Sequence, residues 1–142
     1  MKPAGDEVAA AARGVRESAY APHSGFRVGC ALQAEDGRVF TGCNVENASF
    51  GLTLCAERVA LGAAVSAGAR AFRRLVLVTD AVEPVAPCGA CRQVLAEFAP
   101  GLEVESHGMG GEPRRWTLDQ LLPDRFCLPV RRRGRSGSVA ES

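Results

Sequence analysis

The strongest local sign of chemistry in this sequence is a pair of cysteines three positions apart, Cys88 and Cys91. They lie in the segment Pro87-Cys88-Gly89-Ala90-Cys91, at the start of a predicted helix. With this spacing both sulfurs can point at one position, and the helix dipole and free backbone amides stabilise thiolates there. Because zinc binds cysteine as the thiolate, the segment indicates a metal site.

A third cysteine, Cys55, stands at the start of another predicted helix, and Glu57 follows it by two residues. With Cys88 and Cys91 it would supply three zinc ligands and leave the fourth position for water, which is the catalytic pattern. Bound zinc lowers the pKa of that water toward about 7, and a nearby carboxylate such as Glu57 can accept a proton and pass it on. A ligand two residues before a glutamate, followed by Pro-Cys-x-x-Cys, is the known signature of zinc-dependent nucleobase deaminases.

The cysteine motifs alone leave other interpretations open. Cys88 and Cys91 could form a redox pair, although the preceding proline and the upstream cysteine and glutamate argue against it. A structural zinc module would need a fourth protein ligand, for which Cys43 and His23 are the candidates. Cysteines isolated in apolar segments are usually core residues. We therefore assign no catalytic chemistry to the remaining cysteines and histidines, which are Cys30, Cys43, Cys127, His23 and His107.

Four segments between about Tyr20 and Phe126 resemble the small homotetrameric cytidine deaminases, in the same order and without a large gap. They are Phe26-Arg27-Val28-Gly29, Gly42-Cys43-Asn44-Val45-Glu46-Asn47-Ala48-Ser49, Cys55-Ala56-Glu57-Arg58, and Pro87-Cys88-Gly89-Ala90-Cys91-Arg92-Gln93-Val94-Leu95. The resemblance implies hydrolytic deamination of cytidine and deoxycytidine to uridine and deoxyuridine, with release of ammonia, as in pyrimidine salvage.

The resemblance also implies the roles of individual residues. Cys55, Cys88 and Cys91 would hold one zinc ion per chain. Glu57 would take a proton from the attacking water, deliver it to N3 of the ring, and then move a second proton to the amino group. Arg58, assisted by Gln93, would hydrogen-bond the ligand sulfurs. Three thiolates and Zn²⁺ sum to −1, so such a donor would withdraw electron density and restore acidity to the metal.

The same resemblance implies the contacts to the substrate. Asn44 and Glu46 would hold the ribose hydroxyls, a role that suits an amide beside a carboxylate, because hydroxyls both donate and accept. Phe26 would pack on the pyrimidine ring, and Ala56 would also contact the substrate. Phe126 would reach into the site of a neighbouring subunit, and Phe50 could line a subunit contact.

Charge and composition narrow the class of protein. The chain has 142 residues and a net charge of +1. Four arginines against one glutamate give residues 131–142 a charge of +3, which leaves −2 on residues 1–130. An acidic body argues against a nucleic-acid binder.

We predict one catalytic domain at 1–130 and a disordered tail at 131–142. No segment approaches the roughly 20 apolar residues that a membrane span needs. Residues 1–8 lack the apolar run of a secretory signal. We therefore expect a cytoplasmic protein without disulfides.

The elements that must position these residues alternate along the chain. We predict helices at 6–20, 55–67 and 88–98, strands at 26–34, 39–43, 74–79, 102–106 and 114–117, and a short helix opened by a capping box at 117–120. This order implies an α/β sandwich with a mixed sheet. The resemblance specifies a three-layer αβα sandwich with roughly five strands.

Two other kinds of deaminase could share the cysteine and glutamate motif. A deaminase of another aminopyrimidine, such as a blasticidin-type antibiotic, would share the zinc residues but would not be expected to keep Asn44-Val45-Glu46-Asn47. A nucleic-acid-editing deaminase would be expected to carry basic loops.

The predicted helix at 55–67 has small residues around most of its surface, which suits close helix packing between subunits as much as within a core. Together with the resemblance, this predicts a homotetramer of about 60 kDa, four times the 14.9 kDa chain.

Overall fold

A five-stranded mixed sheet forms the centre of the protein, seen here in a computed structural model that describes residues 5–129. Its strand order is β2-β1-β3-β4-β5, and β3 and β4 are parallel while the other neighbours are antiparallel. The strands are β1 (Val28–Ala34), β2 (Val39–Cys43), β3 (Phe72–Thr79), β4 (Glu103–His107) and β5 (Arg114–Thr117). The predicted tail at 131–142 lies outside the described residues.

Helices cover both faces of this sheet and complete the expected three layers. On one face α1 packs against β1 and β3. On the other face α2 and α3 enclose the larger apolar core, and α4 packs beside α3 and β5. The helices are α1 (Glu7–Arg16), α2 (Ala56–Ser66), α3 (Gly89–Ala96) and α4 (Leu118–Leu121), with a 3-10 turn at Phe50–Leu52. The α/β sandwich expected from the sequence is therefore confirmed.

The apolar run of β3 shows why this strand lies in the middle. Side chains alternate across a strand, so Leu75 and Leu77 enter the core beneath α2 and α3, whereas Val76 and Val78 face α1. All four are fully buried. A continuous apolar sequence is thus what a strand covered on both faces requires.

A glycine allows the α2 helix to approach the sheet closely. A Cβ atom at Gly42 in β2 would lie 2.4 Å from the backbone nitrogen of Ala60 and 2.6 Å from the carbonyl oxygen of Ala56. No side chain fits at that distance, so the absence of a Cβ sets the depth of α2 against β2. Because Glu57 follows Ala56 in α2, this contact also determines how deeply Glu57 is buried.

Several element boundaries differ from those expected, and tertiary contacts explain the differences. Helix α1 ends at Arg16 instead of residue 20, because Tyr20 leaves the helix to pair with Val45. Strand β1 begins at Val28 instead of residue 26, because side chains hold the backbone of the two preceding residues. The predicted capping box is present, with the Thr117 backbone N–H donating to Gln120 Oε1 at 2.9 Å. Within residues 5–129 no helix has the length and apolarity needed to cross a bilayer.

Candidate active site

Two helix N-termini bring the three predicted zinc ligands together. Cys55 is the N-cap residue of α2, Cys88 is the N-cap residue of α3, and Cys91 lies in the first turn of α3. Their sulfur atoms all lie within 4.8 Å of one another, and the Sγ atoms of Cys55 and Cys88 are 3.9 Å apart. All three are free thiols. Cys55 and Cys88 are 33 residues apart in the sequence, and packing of α2 against α3 brings them together.

The geometry of this thiol group fits a tetrahedral zinc ion. Zinc–sulfur bonds of about 2.3 Å in a tetrahedron place sulfur atoms roughly 3.8 Å apart, close to the observed separation. In the described part of the chain no fourth Cys, His, Asp or Glu joins the group, so Cys43 and His23 do not supply the ligand that a structural site would need. Three cysteine ligands without a fourth protein ligand match the pattern of a catalytic zinc site.

The electrostatics of the thiol group favour negative charge on Cys55. The pKa of Cys55 is lowered to about 5, mainly because the Cys91 thiol donates to its sulfur and also because Arg58 does so. The Arg58 Nη2 atom lies 3.4 Å from the Cys55 sulfur and 3.3 Å from the Thr53 carbonyl oxygen. As the donor, Cys91 has a raised pKa. Arg58 thus contacts the sulfur of Cys55, and its role toward a bound metal stays a prediction.

The carboxyl group of Glu57 is buried beside these thiols. The residue is 5% exposed, and burial raises the pKa of its side chain to about 7. A carboxyl pKa raised in this direction suits a group that both accepts and donates a proton in general acid–base catalysis. Glu57 lies on the first turn of α2, two residues after the N-cap Cys55, which places its carboxyl close to the thiol group.

A cavity of about 230 Å³, which we call the thiol cavity, opens beside Glu57. Three of the other predicted site residues, Phe26, Asn44 and Ala56, line this cavity together with Glu57, Cys55 and Cys88. Its lining consists of Phe26, Val28, Asn44, Cys55, Ala56, Glu57, Leu77, Thr79, Val85, Ala86 and Cys88. Val85, Ala86 and Thr79 were not identified from the sequence. Only their positions could have suggested a role, since Thr79 ends β3 and Val85 and Ala86 directly precede Pro87 and Cys88.

Asn44 is buried at the edge of the thiol cavity and fixes the backbone near Phe26. Its Nδ2 atom donates to the Phe26 carbonyl oxygen at 2.8 Å, and its Oδ1 atom accepts from the Val28 backbone N–H at 2.9 Å. An amide has four hydrogen-bonding positions, so two remain after these contacts. The side chain therefore holds the cavity wall and keeps capacity for a ligand.

Glu46 lies outside the lining of the thiol cavity and faces a neighbouring cavity of about 420 Å³. The lining of this second cavity, which we call the Glu46 cavity, is His23, Ser24, Glu46, Phe50 and Thr53. The carboxylate accepts from the backbone N–H groups of His23 at 2.8 Å and Ser24 at 3.2 Å, and from the Ser24 hydroxyl. The Ser24 hydroxyl bond is the main reason that the pKa of Glu46 is lowered.

Gln93 and Phe126 form an unexpected pair. The Gln93 Nε2 atom donates to the Phe126 carbonyl oxygen at 2.9 Å, and the Phe126 backbone N–H donates to Gln93 Oε1 at 3.2 Å. These two bonds hold the backbone of Phe126 against α3, and the assistance at the cysteine sulfurs expected of Gln93 stays a prediction. The Phe126 ring is 67% exposed and does not line the thiol cavity of its own chain.

Comparisons with known proteins agree with this geometry. Residues 5–103 match the family described as the cytidine and deoxycytidylate deaminase zinc-binding region. The chain is 47% identical over 122 residues to a cytidine deaminase of Sporosarcina psychrophila, which covers 85% of this chain and 90% of that protein. A solved cytidine deaminase from Burkholderia pseudomallei is 50% identical, covers 89% of this chain and 100% of its own, and superposes with a TM-score of 0.82. One from Mycobacterium tuberculosis is 42% identical over 86% of this chain and 96% of its own, with a TM-score of 0.75.

Proposed function

Because the chain belongs to the family of the cytidine and deoxycytidylate deaminase zinc-binding region, we propose that it hydrolyses cytidine and deoxycytidine to uridine and deoxyuridine, releasing ammonia. The observation that carries the proposal is the carboxyl of Glu57, which is buried beside three convergent thiols and lines one cavity together with Cys55 and Cys88. The identity of 47–50% to cytidine deaminases over most of the chain supports the same substrate class.

The chemistry divides between the metal and the carboxyl group. Zinc held by Cys55, Cys88 and Cys91 supplies Lewis acidity that makes water nucleophilic near neutral pH. Glu57 accepts a proton from the attacking water and donates it to N3 while the oxygen adds at C4 of the ring. Glu57 then transfers the second proton to the amino group, which leaves as ammonia. The raised pKa of Glu57 matches it to both transfers.

Substrate binding uses side chains that line the thiol cavity and the Glu46 cavity. Phe26 offers an aromatic surface to the pyrimidine, and Ala56 contacts it from the start of α2. Asn44 and Glu46 bind the ribose hydroxyls. Both keep free hydrogen-bonding positions after their contacts to the backbone of residues 23–28.

We further propose that four chains assemble and complete one another's sites. Exposed apolar side chains form a patch at residues 20 and 45–54, where isolated bridges join Tyr20 to Val45 and Val45 to Leu54. The members of the patch are Tyr20, Val45, Phe50, Leu52 and Leu54. One member of the patch, Phe50, lines the Glu46 cavity. Exposed apolar groups concentrated in this way favour burial against another protein surface. The exposed Phe126 ring then serves the site of a neighbouring chain. We place the enzyme in the cytoplasm, where its free cysteines stay reduced.

A substrate panel tests the proposal. Ammonia release and the ultraviolet absorbance change are measured with cytidine, deoxycytidine, CMP and cytosine on zinc-loaded protein. Cytidine and deoxycytidine should react, and cytosine should react far more slowly, because it cannot satisfy Asn44 and Glu46. Preference for CMP, or no reaction with either nucleoside, would contradict the proposal.

A further inference from the structure

The segment that carries Phe26 has no regular secondary structure, so side chains must hold it. Glu46 binds the backbone of His23 and Ser24, and the Ser24 hydroxyl accepts from the Phe26 N–H at 3.0 Å. Asn44 binds the Phe26 carbonyl oxygen on the other side. The next residue, Arg27, is held by a third side chain, Asp80.

Asp80 holds Arg27 through both backbone and side chain. Its Oδ2 atom accepts from the Arg27 backbone N–H at 3.0 Å and from Nε at 3.1 Å, and its Oδ1 atom accepts from Nη2 at 3.4 Å. The Asp80 backbone N–H donates to the Arg27 carbonyl oxygen at 3.2 Å. This pair extends the contact of β1 with β3 past the last pair of the ladder, Val28 and Thr79.

The pair belongs to a closed ring of alternating charges, which we call the charge ring. Its members are Arg16, Glu17, Arg27 and Asp80. Around the ring the closest nitrogen–oxygen distances are 3.4 Å (Arg16–Glu17), 3.1 Å (Glu17–Arg27), 3.1 Å (Arg27–Asp80) and 3.8 Å (Asp80–Arg16). The ring joins the end of α1, the approach to β1 and the end of β3. Asp80 and Arg16, with side chains 22% and 12% exposed, form its less solvated half.

The charge ring lies directly behind the wall of the thiol cavity. Phe26 and Thr79 line the cavity, while their chain neighbours Arg27 and Asp80 do not. Asn44 and Glu46 each line a cavity as well as holding the segment, whereas Asp80 lines neither the thiol cavity nor the Glu46 cavity. Asp80 is thus placed to fix Phe26 without touching a ligand.

We propose that Asp80 is a positioning residue that holds Phe26 in its ligand-binding position by anchoring Arg27. The inference rests on the proposed function, in which Phe26 packs on the pyrimidine. Without Asp80 the segment samples further conformations, and only a fraction of molecules presents the Phe26 ring correctly. Apparent affinity falls by that fraction, whereas molecules saturated with substrate all have the ring in place. Asp80 therefore acts on KM and leaves kcat nearly unchanged.

The test compares Asp80→Ala with a matched control, Asp36→Ala. Asp36 binds the backbone N–H and Nε of Arg38 at 3.0 Å and 2.9 Å, the same two groups that Asp80 binds on Arg27. It lies in the turn at the far end of β1, roughly 20 Å away for a strand of this length. The KM and kcat for cytidine, the Kd for the product uridine by calorimetry, and the zinc content are measured for each protein.

Asp80→Ala should raise the KM for cytidine and the Kd for uridine by a similar factor, about tenfold, with kcat within about twofold of wild type and zinc content unchanged. Asp80→Asn keeps an oxygen that accepts from the Arg27 N–H, so it should recover most of the affinity. Asp36→Ala should leave both constants unchanged. An Asp80→Ala protein with the affinity of the control, or one that loses kcat with unchanged KM, overturns the proposal.

A second variant keeps the proposal testable if Asp80→Ala does not fold or loses zinc. Arg27→Ala retains the backbone N–H bond and removes the guanidinium contacts, so about a threefold rise in KM and uridine Kd is expected. Unchanged constants in Arg27→Ala would overturn the proposal. Failure of the proposed function is distinct, because it would appear as a wild-type protein that releases no ammonia from cytidine.

Discussion

Glu57 is the residue whose surroundings most directly specify its chemistry. Its carboxyl is buried, its pKa is raised to about 7, and it neighbours the N-cap cysteine of α2. Glu57→Gln should keep the zinc and the fold but lower kcat by at least about a thousandfold, since the amide has the same shape but cannot carry a proton. Ammonia release and zinc analysis check this, with the exposed Glu97→Gln on the C-terminal side of α3 as control. More than about a tenth of wild-type turnover would exclude the proton-transfer role.

Glu46 combines two tasks that a substitution can separate. Its oxygens accept from His23 and Ser24, and we propose that it also accepts from the ribose. Glu46→Gln should lower kcat/KM for cytidine by roughly 10- to 150-fold, the range expected for losing a hydrogen bond to a charged group. The loss on cytosine should be much smaller. Equal losses on cytidine and cytosine would show that Glu46 acts through the 23–26 segment and not on the sugar.

At the scale of single residues, most predictions about the site came from the local spacing of residue types. The three cysteines and Glu57 were recognisable because helix starts and short motifs fix their directions. Asp80 and the pairing of Gln93 with Phe126 were not, because each depends on a partner more than 30 residues away. Nothing in the local sequence distinguishes Asp80 from an ordinary loop aspartate.

Among the elements, α1 is fixed at its beginning by one carboxylate. Asp6 is its N-cap residue, accepting from the Ala9 N–H at 3.1 Å, and it also binds the guanidinium of Arg74 in β3. Arg74, together with the N-cap contact, lowers the pKa of Asp6 from 3.8 to about 2. A depressed carboxyl pKa stabilises the fold above the unfolded value and ceases to do so as pH falls through the folded value. This stabilisation is therefore present above about pH 4 and lost toward pH 2.

Asp6→Asn isolates the charge, because asparagine is an equally good N-cap residue. The variant should be less stable than wild type at pH 6, and the difference should disappear as the pH falls from about 4 to 2. Urea unfolding followed by circular dichroism at several pH values measures it. Zinc loss in acid affects both proteins alike and cancels in the comparison. A stability difference that persists unchanged at pH 2 would contradict the ion-pair explanation.

Element boundaries were the part of the fold that the sequence predicted least well. The alanine-rich run at 6–20 favours helix throughout, yet the pairing of Tyr20 with Val45 removes its last residues. Strand order was also not deducible in detail. The hairpin of β1 and β2 follows from Asp36-Gly37, but the placement of β1 between β2 and β3 depends on long-range pairing.

For the whole molecule, the exposed apolar patch and the exposed Phe126 ring support the proposed assembly of four chains. Light scattering at micromolar concentration should give about 60 kDa, four times 14.9 kDa. Phe126→Ala should remain tetrameric but raise the KM for cytidine, because Gln93 binds only the backbone of residue 126 and keeps the chain path intact. The control Val82→Ala alters an exposed apolar residue in another loop. A fully active monomer of about 15 kDa would contradict the proposed assembly and the shared site.

The pairing of β1 with β3 has a consequence for how the chain folds. Residues 28–34 pair with residues 72–79, across β2 and α2, whereas the β1–β2 hairpin closes locally. Non-local pairing of this kind slows folding, while a hairpin forms within about 1–10 μs. Because α2 precedes β3 and α3 follows it, Cys55 and Cys88 meet only after β3 has docked. We therefore expect a complete metal site to form late in folding, with Cys55 apart from Cys88 and Cys91 and the thiols of a newly synthesised chain open to oxidation until then.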